Sequence, residues 1–369
     1  MIDRLCRLVS TRSVSREEAT ICEMLIRELS HAGLRVHRHL NNLWCEIGDA
    51  PRPRLLLNSH IDTVPPAAGW TGDPFSPRRE EGRIIGLGAN DAKGCVTALV
   101  EAATRTHERL SRGERLGGTL VLALTAEEEN SGKGLSEILP LLGPIDAGIV
   151  GEPTDLTPMT AQRGLLILRC VARGRTRHPA NTPSDSPDNA IATAARDIAA
   201  LHAFDWGPAH PLLGSCHAHV TKIQGGVALN VVPDACEFFV DIRTTPNQPH
   251  AATIELLKER LRSEVHVHSL RLVPVDTPDD ATIVRAVLRA LPGSAPRGSP
   301  AMSDMVFLAG TPAVKIGPGH SPRSHTPNEF ITESELAAGA AAYERIVWQY
   351  FAQAASEEAR HGAGSALVG

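Results

Sequence analysis

Residues 55–65 read LLLNSHIDTVP: an apolar run that passes through Asn58 and Ser59 into His60, one apolar residue, Asp62, and a stop at Pro65 and Pro66. A short apolar run bounded by turn residues predicts a buried strand. Its end predicts more, because open parallel sheets bind ligands outside the carboxyl ends of their strands. Other segments repeat the pattern. LVLALTAEEE (120–129) ends on Glu127, Glu128 and Glu129, GIVGE (148–152) ends on Glu152, and VKIGPG (314–319) runs out shortly before His325. A further acid, Asp91, closes the turn GLGANDAKG (86–94), which opens a helix.

Around these strands the chain alternates. NDAKGCVTALVEAATRTHERL (90–110) has helical texture and separates two of the strands, so the first domain reads as α/β with a mostly parallel central sheet flanked by helices. Residues 3–32 carry apolar positions at helical spacing (Leu5, Leu8, Val9, then Ile21, Met24, Leu25, Leu29) and stop near Gly33. From Gly164 the texture changes to strand (164–175), helix (189–204), two strands (217–226 and 235–245) and helix (250–265), an order that predicts a smaller inserted α+β domain. Segments 281–291 and 333–352 read as helices around the strand PAVKIG. The predicted organisation is a discontinuous domain, 1–163 with 274–352, interrupted by 164–273, and a flexible tail at 353–369.

With 369 residues, 42% of them hydrophobic, a substantial core is available. The formal charge of -5 and the lack of any dense Lys/Arg block argue against nucleic acid or an anionic membrane as partner. No apolar run approaches the ~20 residues of a membrane helix, and MIDRLCRLVSTRS lacks the apolar core of a signal peptide, so a cytoplasmic location is expected. Seven cysteines without a C-x-x-C pair fit reduced thiols better than a disulfide framework.

Imidazole and carboxylate side chains without thiolates suit a catalytic divalent-metal site, zinc above all, with cobalt or manganese able to substitute. His60, Asp91, Glu129, Glu152 and His325 are too many ligands for one tetrahedral ion. They suit two ions about 3.5–4 Å apart with Asp91 between them. Asp62 would then accept the second ring N–H of His60 and fix its tautomer. GLGAND lacks the third glycine of a dinucleotide-binding loop and does not directly follow a long buried strand.

The ordered set SHIDTVP, GLGANDAKG, TAEEENSGKG, IVGEPT, GRTRH, IQGGVALNVVPDACEFFVDIR and GPGHSPRSHTPNEF resembles the M20 family of dinuclear zinc aminoacylases and peptidases over nearly the whole chain. Within it the likeness is greatest to acetylornithine deacetylases, with succinyl-diaminopimelate desuccinylases more distant. The resemblance implies a catalytic domain interrupted by a ferredoxin-like lid through which the chain forms a homodimer. It implies one zinc on His60, Asp91 and Glu152, a second on Asp91, Glu129 and His325, and Glu128 as general base. It places His178 as an oxyanion-stabilising histidine reaching the partner subunit's site, and Asn230 and Arg243 as substrate contacts, Arg243 clamping a carboxylate. Apart from the resemblance, GPG at 317–319 offers the backbone N–H groups of Gly317 and Gly319 near His325 for a carboxylate, with a plain tight turn as the equal alternative. Where the family often has Asp before the acidic pair this chain has Glu127, which leaves Glu127 and Glu128 both open as the base. Arg177 stands beside His178 where small residues are usual. The expected reaction is amide hydrolysis of a small N-acyl amino acid, N-acetyl-L-ornithine first, with succinyl amino acids, N-acetylcitrulline and dipeptides as alternatives.

Overall fold

The computed structural model describes residues 1–184 and 186–365 and divides into two compact units. One comprises Met1–Thr160, Thr277–Arg297 and the chain from Ser303 onward; the other comprises Ala161–Asp276 and Gly298–Met302. Among the described residues no helix is long and apolar enough to cross a membrane.

The first unit is built on a sheet whose neighbouring strands run Val36–His39, Asn42–Gly48, Thr119–Thr125, Arg54–His60, Ala147–Val150 and Ala313–Lys315. The last four are mutually parallel, and the outer two are antiparallel. Leu55, Leu56 and Leu57 are all fully buried, as both-face coverage requires of a central parallel strand. Helices Ile2–Ser10, Ala19–His31, Lys93–Ser111, Thr282–Ala290 and Glu333–Ser365 belong to this unit and supply much of its core. The helical run expected over residues 3–32 is split in two. Between its halves Ser13 donates to the Ile61 carbonyl at 2.8 Å and Ser15 to an Asp62 carboxylate oxygen at 2.6 Å. Local spacing favours continuing the helix, but those bonds to the end of the His60 strand pull the segment out of it.

The last helix does not stop where the sequence reading begins a flexible tail. It runs through residue 365, with Gln353 buried and Glu357 accepting from the Thr282 hydroxyl at 2.7 Å and pairing with Arg285. Residues 366–369 of the expected tail lie outside the described residues.

The second unit is an antiparallel sheet in the order His217–Gly225, Ala235–Thr244, Gly164–Arg173 and Glu264–Leu272, with helices Ala190–His202 and His250–Arg260 packed on it. Along Ala235–Thr244 burial alternates residue by residue, so one face meets the helices. The completed order is β-α-β-β-α-β, the ferredoxin-like arrangement. The strand Glu264–Leu272 is missing from the sequence reading, which carries the second helix on to residue 265. Asp197 ends that helix from outside: its carboxylate accepts the N–H groups of Arg262 (3.1 Å) and Ser263 (2.8 Å) and the Ser263 hydroxyl (2.6 Å). The edge strand that follows is largely exposed and mixes histidine, serine and arginine with its apolar residues, which hides its period.

Candidate metal and catalytic centre

His60 is the last residue of its strand and is 1% exposed. Its Nδ1 lies 3.1 Å from the Asp62 carbonyl oxygen and 3.4 Å from the Asp62 carboxylate. Nδ1 is therefore the protonated nitrogen. Nε2 faces carboxylates, Asp91 Oδ1 at 3.3 Å and Glu152 Oε1 at 3.9 Å. A lone pair aimed at buried anions is repelled unless a cation lies between them or a proton sits on the ring. Burial alone would depress the imidazole, but Asp62, Asp91 and Glu152 raise its pKa well above the ordinary histidine value.

Asp91 faces two ways. Its Oδ1 meets His60, and its Oδ2 lies 3.6 Å from His325 Nε2, which is itself 2.9 Å from Glu129 Oε1. The candidate ligands thus fall into two groups, His60 with Glu152 and His325 with Glu129, sharing Asp91 by opposite oxygens. Ligand atoms of His60, Asp91 and Glu129 all lie within 4.8 Å of one another. The donor set of imidazole nitrogens and carboxylate oxygens fits two borderline divalent ions. Burial and the neighbouring Asp91 and Glu129 charges push Glu152 up to about 8, although His60 and Lys315 oppose the shift. The hydrogen bond to Glu129 raises His325 to about 9.

The two candidate bases have different surroundings. Glu127 has a left-handed backbone (φ 57°), accepts from Ser131 at 2.9 Å and lies 3.5 Å from Arg16. Glu128 feels His60, Glu152, Asp304 and Glu129, and burial with those acids raises its carboxyl well above the usual range against the pull of His60. Asp62 does more than orient a histidine. Fully buried, it accepts the N–H groups of Glu128 and Glu129, each at 3.2 Å, so one carboxylate sets the His60 ring and the acidic loop together.

Three further polar residues support the centre without having been singled out in the sequence. Glu329, 2% exposed, accepts the N–H groups of Asn90 and Asp91 at 2.8 Å each. Ser15 holds Asp62, as above. Asp304 lies buried with the Thr125 hydroxyl donating to it at 2.9 Å, and burial pushes its pKa up to about 6. Glu329 stands in the segment TPNEF (326–330) and Asp304 in SDM (303–305), but nothing in their spacing reveals that they turn inward.

The glycines expected to offer backbone N–H groups have other work. Gly317 donates its N–H to Thr154 Oγ1 at 3.1 Å, and a Cβ there would meet the Tyr343 hydroxyl at 2.5 Å. That N–H is already engaged within the protein, which favours the tight-turn reading of this glycine. At Gly319 the backbone is left-handed (φ 86°) and a Cβ would meet Asn90 Oδ1 at 2.4 Å, so close approach rather than a ligand explains this glycine.

Of the candidate residues in the second unit, His178 is exposed, and its Nδ1 accepts the Ala180 N–H at 3.2 Å. That bond makes Nε2 the protonated nitrogen and leaves it as the donor. Arg177 beside it is paired with Asp188. Asn230 lies in the exposed loop 226–230. Arg243 is held by Asp241 through Nε–Oδ1 (2.8 Å) and Nη2–Oδ2 (3.2 Å), the internal salt bridge that competes with a clamp role.

A model of the peptidase family M20/M25/M40 matches residues 56–349. Among curated relatives, a succinyl-diaminopimelate desuccinylase of Xylella fastidiosa is 31% identical, covering 94% of this chain and 97% of the relative. An acetylornithine deacetylase of Myxococcus xanthus is 32% identical over 80% of each chain. The greater likeness to deacetylases expected from the motifs is thus not favoured over the desuccinylase likeness. Among solved structures, an aminopeptidase of Bacillus cereus superposes with a TM-score of 0.75 at 21% identity, covering 95% of this chain and 97% of the other. A dinuclear metal-binding peptidase of Bacillus subtilis does so with 0.72 at 16% identity, covering 95% and 98%. At these identities the structural likeness speaks for the fold.

Proposed function

The chain belongs to peptidase family M20/M25/M40 and is a metallohydrolase acting on amides, and from that premise we propose that it removes the acyl group of a small N-acyl amino acid, N-acetyl-L-ornithine first. The observation that carries the reading is Asp91 reaching towards His60 and His325 with opposite oxygens. A second reading, removal of a succinyl group, has specific support in the desuccinylase relative that spans 94% of this chain.

His60, Asp91 and Glu152 would hold one divalent ion and Asp91, Glu129 and His325 the other, zinc by preference with cobalt able to substitute. Such ions supply Lewis acidity and bring the pKa of water at the site towards ~7. Glu128 takes the proton of the attacking water and returns it to the leaving amine nitrogen. Asp62 keeps Glu128 and His60 in register through its bonds to both segments. His178, in a homodimer formed through the ferredoxin-like unit, donates from Nε2 to the developing oxyanion of the partner subunit's substrate. Arg243 offers the N–H groups that Asp241 does not use to the substrate α-carboxylate, and Asn230 contacts the substrate amide.

The test is amine release from N-acetylornithine, N-acetylcitrulline, N-succinylornithine, N-succinyl-diaminopimelate and simple dipeptides, using chelator-stripped protein with and without added zinc or cobalt. Metal-dependent turnover with acetylornithine preferred is expected. A succinyl preference replaces the first reading with the second, dipeptide preference makes the chain a peptidase, and no metal-dependent hydrolysis of any amide overturns the proposal.

A further inference from the structure

We propose that Asn90 is a positioning residue that sets the second ion's half of the site by fastening the loop that carries His325; this rests on the two-ion reading above. His325 needs outside help. Its side chain is 52% exposed and its backbone adopts the left-handed region (φ 61°), where a histidine stays only if its surroundings hold it. No strand delivers it, unlike His60.

Asn90 provides the hold. Its side chain is fully buried and bonds the loop three times: Oδ1 accepts the His320 N–H at 2.8 Å, and Nδ2 donates to the His320 carbonyl at 3.2 Å and to Ser324 Oγ at 3.3 Å. Those partners bracket the segment that ends in His325. The absence of a side chain at Gly319 is what lets the loop come this close. The backbone of Asn90 is fixed in turn, since one oxygen of Glu329 accepts the N–H groups of Asn90 and Asp91. Two adjacent residues therefore divide the task. Asp91 reaches both ion positions, and Asn90 sets how far His325 stands from it, 3.6 Å between Asp91 Oδ2 and His325 Nε2. An amide is required because the loop presents one donor and two acceptors to the same side chain.

The prediction is asymmetric. Metal-free full-length protein is titrated with Zn²⁺ against a chromophoric chelator, and amide hydrogen exchange is measured on the same metal-free samples. Wild type takes up two ions. In Asn90→Ala one affinity falls about 10- to 100-fold, the scale of losing a partner that orients a ligand, while the other stays within about twofold. In the metal-free variant the His320 amide exchanges at least about tenfold faster, and amides of the strand Arg54–His60 keep their protection. Asn90→Ser, one atom too short to bond the loop in the same way, repeats the pattern if the alanine variant does not fold. Equal loss of both affinities, no loss of either, or an unchanged His320 amide overturns the role of Asn90 while leaving the two-ion reading intact. A wild-type protein that takes up fewer than two ions overturns that reading, and this proposal with it.

Discussion

The two candidate histidine ligands are held by opposite means. His60 closes a parallel strand that is buried from Leu55 onward and has its ring fixed through Nδ1 by Asp62. His325 stands half-exposed on a loop with a left-handed backbone and depends on contacts made by other segments. The difference teaches that one centre can combine a half fixed by the sheet with a half that must be fastened. Stability and metal affinity should then respond differently when each half is damaged.

The largest effect is expected where both halves serve one group. Glu128→Ala should cut kcat by ~10²–10⁴ and leave the ion content unchanged. Retained turnover would remove Glu128 from the reaction. Next come the two histidines compared directly. His60→Ala should weaken one ion and also destabilise the metal-free protein, by on the order of 3 kcal/mol, because buried Asp62 and Asp91 lose a partner. His325→Ala should weaken the other ion with the metal-free melting temperature nearly unchanged. Equal melting temperatures for the two variants would break the comparison.

Proton release sharpens it further. His325 is raised to about 9 and Glu152 to about 8 in the metal-free chain, so both hold protons at pH 7 and must give them up to bind an ion. Calorimetry in buffers of different ionisation enthalpy should show proton release near pH 7 that fades as pH rises through about 9, and His325→Ala should release fewer. The sign for stability follows: a raised histidine stabilises the metal-free fold fully below 6.5 and loses that contribution as pH rises through about 9. Release that grows between pH 7 and 10 would contradict this. The smallest effect is at Gly319, where Ala must take a left-handed φ and meet Asn90 Oδ1; a loss of ~1–3 kcal/mol by denaturant unfolding is expected.

The same contrast explains what could be read in advance. Asp197 ending the second helix of the ferredoxin-like unit and Ser13 and Ser15 breaking the first helical run are contacts between residues far apart in sequence, and local periodicity is blind to them. Glu357 binding Thr282 and Arg285 keeps the last helix ordered in the same way, against a composition that suggests fraying. Gly317 illustrates the reverse case, a backbone group that looks available in the sequence while Thr154 accepts its N–H in the fold.

The sequence by itself determined the α/β class, the inserted α+β unit, the family, and the set of acids and histidines at strand ends. Burial on both faces imposes a continuous apolar run, so the polar residue that ends it stands out. Only the tertiary structure decided that Asp91 looks both ways, that Glu127 is taken up by Ser131 and Arg16, and that Asn90, Glu329 and Asp62 tie separate loops into one centre. A polar side chain in a loop has no period to betray its direction, and its partner is chosen by the fold.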